Sequence, residues 1–230
     1  MIVKDFNIND LKKKYYIGIN QIKIKISQLI RSQNFDNEEK ILNYFFSLIE
    51  GIQSNFKNST VQFVKNKYIL DQNHIYNACY FLQKSFFYKT NISKKQNIEL
   101  LLYLSGNRQI NKSIEGFGID NHDLNSGKLT FCIISSENNI VDINKSIIQT
   151  LDAENDEITL NKQSIEKFEI IKNYFEISDQ EITTVLYSYG INGEQVLISK
   201  TSLDLLYLAL SDLICERMAL LSIENLKIRC

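Results

Sequence analysis

The chain has 230 residues, 44% apolar and 23% charged, with a formal net charge of −1. That length suits one domain able to bury about 70% of its unfolded surface without staples, and no apolar run of about 18 residues is present to span a bilayer. A balanced charge excludes a uniform field for nucleic acid, and the start MIVKDFNINDLKKKYY lacks the pattern of a secretory signal, so the cytoplasm is the expected compartment.

In chain order, YYIGINQIKIKI (15–26) alternates Ile17, Ile19, Ile22, Ile24 and Ile26 with polar residues, predicting a half-buried strand with a bulge at Asn20-Gln21. Asp36 opens an amphipathic helix with Glu39 as capping-box partner, Ile41, Leu42, Phe45, Leu48 and Ile49 on one face, and Gly51 as its stop. TVQFV (60–64) is a second strand. Asp71 caps a helix whose stripe is Ile75, Ala78, Cys79, Leu82 and Phe86, and His74 finishes its N-terminus. Ser93 and Gln96 form a capping box before Ile98, Leu100, Leu101, Leu102 and Leu104, a helix apolar nearly all round and hence central.

Beyond the next corner, DNHDLNSG reads as a turn around His122, KLTFCIISS (128–136) as a buried strand and NKSIIQTL as a short helix. DAENDE (152–157) lacks calcium-loop spacing and reads as a solvated acidic loop. SIEKFEIIKNYF is an amphipathic helix, Ser178 with Glu181 caps another that stops at Tyr189-Gly190, and GINGEQVLIS adds a hairpin or loop. Thr201 and Asp204 begin a long apolar helix. A few strands without a steady βαβ alternation argue an α+β fold, a small mixed or antiparallel sheet covered by several helices in a single compact domain.

The chemistry motifs return little. Cys79, Cys132, Cys215 and Cys230 form no CxxC pair, and phosphate-loop, dinucleotide, zinc-protease and nucleophile-elbow patterns are missing. Gly116-x-Gly118 closes a helix instead of following a strand, which reads as a helix stop. No metal, no cofactor and no catalytic residue is expected. Charge is uneven along the chain: residues 11–35 carry six basic and no acidic residues, 84–112 carry six basic residues against Glu99, and 137–181 carry eleven acidic residues and four lysines. Such asymmetry fits a basic face for an anionic partner, or ordinary solvated faces.

LLYLSGNRQINKSIEGFGI (101–119) is the distinctive stretch, because polar residues interrupt two core segments. Gly106 ends one helix in a left-handed conformation, Asn107 caps the next, and Arg108 and Gln109 sit in its first turn. An arginine there opposes the helix dipole, so its guanidinium has another partner. That partner is either a carboxylate or carbonyl of the same fold, or a ligand.

ELLLYLSGNRQINKSIEGFGI (99–119) resembles the signature of the kinase-binding subunit of the KEOPS complex, the Cgi/TPRKB family, in an archaeal-like form. The flanks DQNHIYNACYFLQKSF, GKLTFCIISSEN and ICERMALLSIENLK resemble that family in order and spacing, from about residue 15 to 228. The resemblance implies a compact α+β domain without catalysis of its own, seated on the small atypical kinase/ATPase of a complex that makes threonylcarbamoyladenosine at tRNA position 37. It also implies binding of the single-stranded 3′ CCA end of tRNA. Arg108, Gln109 and Asn107, with Lys94, Lys95 and Lys112 as phosphate neighbours, are the expected RNA contacts, since planar groups stack on bases while lysines neutralise phosphates. The expected kinase surface is the C-terminal helix around Met218, Leu221 and Ile223, which also fits a purely core role. Extensions near 1–14, 28–58 and 187–202 exceed the family pattern. A scaffold that binds the kinase without RNA is the competing expectation, and an unrecognised small-molecule enzyme using His74 is a third.

Overall fold

Residues 1–8, 12–25, 38–199 and 202–227 are described by a computed structural model. Their contacts divide the chain into two units, Met1–Lys65 with Gly118–Ile158, and Asn66–Phe117 with Thr159–Cys230. The elements are β1 (Ile2–Ile8), β2 (Lys13–Lys23), α1 (Glu38–Asn55), β3 (Ser59–Val64), α2 (Gln72–Tyr88), α3 (Gln96–Ser105), α4 (Ile110–Phe117) and α5 (Asn121–Ser126). They continue with β4 (Lys128–Ser135), α6 (Ile140–Thr150), β5 (Glu154–Asn155), α7 (Ile165–Tyr174), α8 (Asp179–Ser188), α9 (Gly193–Ser199) and α10 (Leu203–Lys227). An antiparallel sheet of five strands with ten helices among the described residues is the expected α+β class.

The first unit holds the sheet, ordered β1-β2-β4-β3 with β5 beside β2. Its register runs unbroken from Tyr16↔Ser135 to Lys23↔Lys128, so the bulge expected at Asn20-Gln21 is absent. Asn20 is instead fully buried, its amide nitrogen donating to Asn144 Oδ1 and Asn155 Oδ1 at 2.8 Å each. A polar residue breaks the apolar alternation without breaking the strand, because α6 and β5 bring acceptors to it. β1 is a strand that the alternation did not announce; it pairs antiparallel with β2 from Ile2↔Ile19 to Ile8↔Lys13.

Helices α1 and α6 pack on this sheet through Phe45, Ile49, Ile143 and Ile147, with Phe45 edge-on to Phe63 at 4.7 Å. Helix α1 runs past Gly51 to Asn55, since Ile52 is still core. Asp36 and Ile26 lie outside the described residues. The DNHDLNSG stretch is helix α5, opened by a capping box between Asp120 and Asp123, a signal hidden by the loop-like composition.

The second unit is helical. Helix α3 lies at its centre, with Glu99 to Ser105 buried and α2, α4 and α10 packed on it. Asp71 caps α2 by accepting from the amides of Asn73 and His74, and the Ser178–Glu181 capping box starts α8, both as expected. GINGEQVLIS forms helix α9 in place of a hairpin or loop. Cys79 and Cys132 are buried free thiols, Cys215 is half-buried, and Cys230 and Thr201 lie outside the described residues.

Candidate functional site

The corner between α3 and α4 is built by hydrogen bonds that its sequence dictates. Gly106 takes φ +57°, and its amide with that of Asn107 closes onto the carbonyls of Tyr103 and Leu102. A Cβ at Gly106 would stand 3.0 Å from Cβ of Arg217 on α10, a second reason for glycine there. Asn107 Oδ1 accepts from the amide of Gln109 at 2.8 Å, a short turn that places Arg108 and Gln109 just ahead of α4 and not inside its first turn. Beneath it the hydroxyls of Ser105 and Ser113 meet at 2.6 Å, and Ser113 Oγ donates to the Gln109 carbonyl at 3.1 Å.

This corner presents a mixed surface. Gln109 and Lys112 are exposed, as are the apolar Ile110 and Ile114 on the same short helix. Arg108 is half-buried, Nη1 of its guanidinium is shielded from solvent, and its charge acts on Glu99. The carboxylate of Glu99, in a fully buried residue, accepts from the amides of Ile92 at 3.0 Å and Ser93 at 2.6 Å. Burial pushes its pKa up, against the pull of those amides and of Arg108. Glu99 thereby ends the loop before α3 in place of the Ser93–Gln96 box: Lys95 is the N-cap without a side-chain bond, and Ser93 Oγ accepts from the Lys95 amide. Lys94 and Lys95 stand exposed on that loop. They sit at one end of α3 and Asn107 to Gln109 at the other, about 15 Å away for ten residues of helix. Among the described residues no hydrogen bond or ion pair holds the ammonium groups of Lys94, Lys95 and Lys112.

Asn107 and Lys112 open onto a groove of about 330 Å³ that includes Tyr68 and Tyr174, stacked with ring centroids 4.1 Å apart. Neither tyrosine was singled out from the sequence, because the two are brought together only by tertiary packing. The signal that pointed to one of them is Gly116. It is next to last in α4, which ends at Phe117 between Gly116 and Gly118 as expected; a Cβ at Gly116 would come within 2.3 Å of the Tyr174 hydroxyl.

Both histidines lie near the starts of their helices. Nε2 of buried His74 donates to the Leu104 carbonyl at 2.9 Å while Nδ1 accepts from the Leu70 amide at 3.2 Å, which ties α2 to the end of α3. Burial lowers its pKa to about 4. His122, Asp120 and Asp123 cluster within 4.8 Å, but a hydrogen bond from Lys65 holds Asp120 down at about 2, and its oxygen caps α5. This is a helix start in which Lys65 offsets the charge of Asp120.

On the C-terminal helix Met218 is 0% and Leu221 4% exposed, so both serve the core of the second unit, whereas Ile223 is 50% exposed. Ile223 borders a largely apolar groove of about 430 Å³ lined also by Phe81, Tyr88, Thr90, Ala219 and Ser222, with Phe87 and Leu220 among the exposed apolar residues nearby in sequence. The apolar stripe of α10 therefore divides: one side is core and the other is open.

A family model described as the kinase binding protein CGI-121 matches residues 32–222. The chain belongs to that family. No curated protein matches it. A kinase-binding accessory role follows from membership. Among the described residues no helix is long and apolar enough to cross a membrane.

Proposed function

We propose that this kinase-binding protein is a non-catalytic subunit of a KEOPS-type assembly that modifies position 37 of tRNA. It docks on the small kinase/ATPase through Ile223 and Leu220 on α10 with Phe87 and Tyr88 on α2, and it recruits tRNA by the 3′ CCA end at the α3–α4 corner. The observation that carries the RNA half is the corner itself. Exposed Gln109, Ile110 and Ile114 offer polar and apolar contacts to unstacked bases, with Lys112, which has no partner among the described residues, beside them and Lys94 and Lys95 a few nucleotides away at the other end of α3. The resemblance of the Ser-Gly-x-Arg-Gln-Ile step to the family signature supports the same assignment.

One observation favours the competing scaffold reading, in which the kinase is bound without RNA. Arg108 is half-buried and faces Glu99, so part of its charge is used within the fold. Gln109 and Lys112 carry the contact to RNA in the recruiting reading. Binding of intact tRNA and of tRNA trimmed of CCA separates the readings: intact tRNA binds at least tenfold tighter, and Gln109→Ala with Lys112→Glu removes the difference. Equal binding of the two RNAs establishes the scaffold. Kinase binding that survives Ile223→Asp with Leu220→Asp would move the docking surface off α10.

A further inference from the structure

The start of α7 borders a groove of about 420 Å³ lined by Lys67, Lys162, Lys167, Ser164 and Asn66. Its chemistry centres on Lys167. The ammonium of that side chain donates to the carbonyls of Leu160 at 2.6 Å, Leu70 at 2.7 Å and Lys162 at 3.5 Å, which uses all three of its N–H bonds. Those acceptors are neutral. Among the described residues no carboxylate stands within ion-pair distance of Lys167, and Asp71 acts on it only at longer range while its own oxygen caps α2. Burial lowers the pKa of Lys167, because hydration is lost and no adjacent counter-charge replaces it. Charges withdrawn from water are ordinarily paired, so a half-buried ammonium held by carbonyls alone lacks an anion.

The rest of the lining agrees in sign. Lys67 and Lys162 stand exposed beside Lys167, against the carboxylate of Glu166. Ser164 Oγ accepts from the Lys167 amide at 3.1 Å, which leaves its O–H to donate, and the first-turn amides of α7 add partial positive charge. Asn66 Oδ1 is shielded from solvent without a partner, and a half-turn of that amide would offer N–H donors in its place. Lysine acts as a point charge suited to phosphate, whereas a planar carboxylate favours the fork of an arginine, which this lining lacks. The volume falls in the about 300–1,000 Å³ range of ligand clefts, and Leu160 and Ile170 give an apolar side, so an organic group fits beside the phosphate.

We propose that this groove binds the phosphoryl dianion of a small phosphomonoester or of inorganic phosphate. Lys167 supplies the fixed positive charge, and Lys67, Lys162 and Ser164 make the direct contacts. The inference goes beyond the function proposed above: it uses no residue of the α3–α4 corner and holds whether or not tRNA is recruited.

The test is calorimetric titration of the full chain with glycerol 3-phosphate, inorganic phosphate, glycerol and dimethyl phosphate. Glycerol 3-phosphate binds at least tenfold tighter than dimethyl phosphate, which carries a single charge, and glycerol does not bind. Lys67→Met with Lys162→Met weakens glycerol 3-phosphate by about tenfold at an unchanged melting temperature, since both side chains are exposed. Lys167→Met abolishes binding but also unties three carbonyls, so the exposed pair carries the test. Glu166→Gln removes a repelling charge and tightens binding by about threefold. Gln109→Ala with Lys112→Glu leaves it as it was. Inorganic phosphate bound as tightly as glycerol 3-phosphate identifies the free anion as occupant, and a tighter ester identifies the ester. Absence of binding by either phosphate, glycerol 3-phosphate and dimethyl phosphate bound within twofold of one another, no effect of the exposed lysine pair, or loss of binding in the Gln109 and Lys112 variant overturns the proposal. Intact and trimmed tRNA bound equally, with selectivity for glycerol 3-phosphate retained, would sink the tRNA reading and leave this site standing.

Discussion

Two buried ionisable side chains set how single residues respond to pH and substitution. His74 has a folded pKa of about 4 against about 6.5 in an unfolded chain, because burial disfavours its charged form. Between those values the unfolded state binds the extra proton, so the His74 contribution is complete above about pH 6.5 and lost as pH falls towards 4. Its full size is about 3 kcal/mol. Urea unfolding across that window is expected to show this component, and His74→Phe to flatten the slope by that amount; an unchanged slope would mean His74 charges without cost. At the other end of α3, Glu99→Ala leaves the amides of Ile92 and Ser93 without their acceptor and removes a counter-charge from Arg108, a loss of about 3 kcal/mol by chemical unfolding. The sequence named His74 as a finishing polar residue but missed Glu99, since a carboxylate in a first turn reads as ordinary dipole compensation until its folded partners are known.

At the scale of elements, helix and strand periods were legible wherever local pattern and burial agree. The central helix α3, the strands β3 and β4, and the caps at Asp71 and Ser178 are all of this kind. The misses share a cause, which is tertiary contact overriding a local signal. Asn20 stays in strand because other elements satisfy it, α1 passes through Gly51 to bury Ile52, and the apolar stripe of α10 hides a division between core and open sides. Gly116 adds a second case, a glycine in the last turn of α4 that marks the helix end and is also clearance for a distant tyrosine. Gly116→Ala therefore destabilises the second unit by about 1–3 kcal/mol through overpacking, despite the gain in helix propensity. Tyr174→Leu removes the clash, so Gly116→Ala in that background becomes neutral or stabilising, and a double-mutant cycle of melting curves measures the coupling. Additive effects would separate the two residues and leave Gly116 without this explanation.

Across the whole molecule, a net charge of −1 means that any affinity for RNA comes from a local set of cations. The two basic stretches of the sequence differ in this respect. In the first, Lys14 lies 3.1 Å from Asp5 and Lys25 3.8 Å from Glu154, so two of its lysines are already balanced. In the second, Lys94, Lys95 and Lys112 have no such partner among the described residues. Neutralising single-strand phosphates with those three groups predicts a slope of log affinity against log salt of about −2, from roughly 0.7 per contact. Lys94→Gln, Lys95→Gln and Lys112→Gln together should bring that slope close to zero and weaken binding of every RNA alike, while Gln109→Ala weakens CCA-ended RNA and leaves the slope in place. A slope that stays near −2 in the triple variant would put the phosphate path elsewhere, and the corner between α3 and α4 would lose its claim to tRNA even though the family's kinase-binding role would stand.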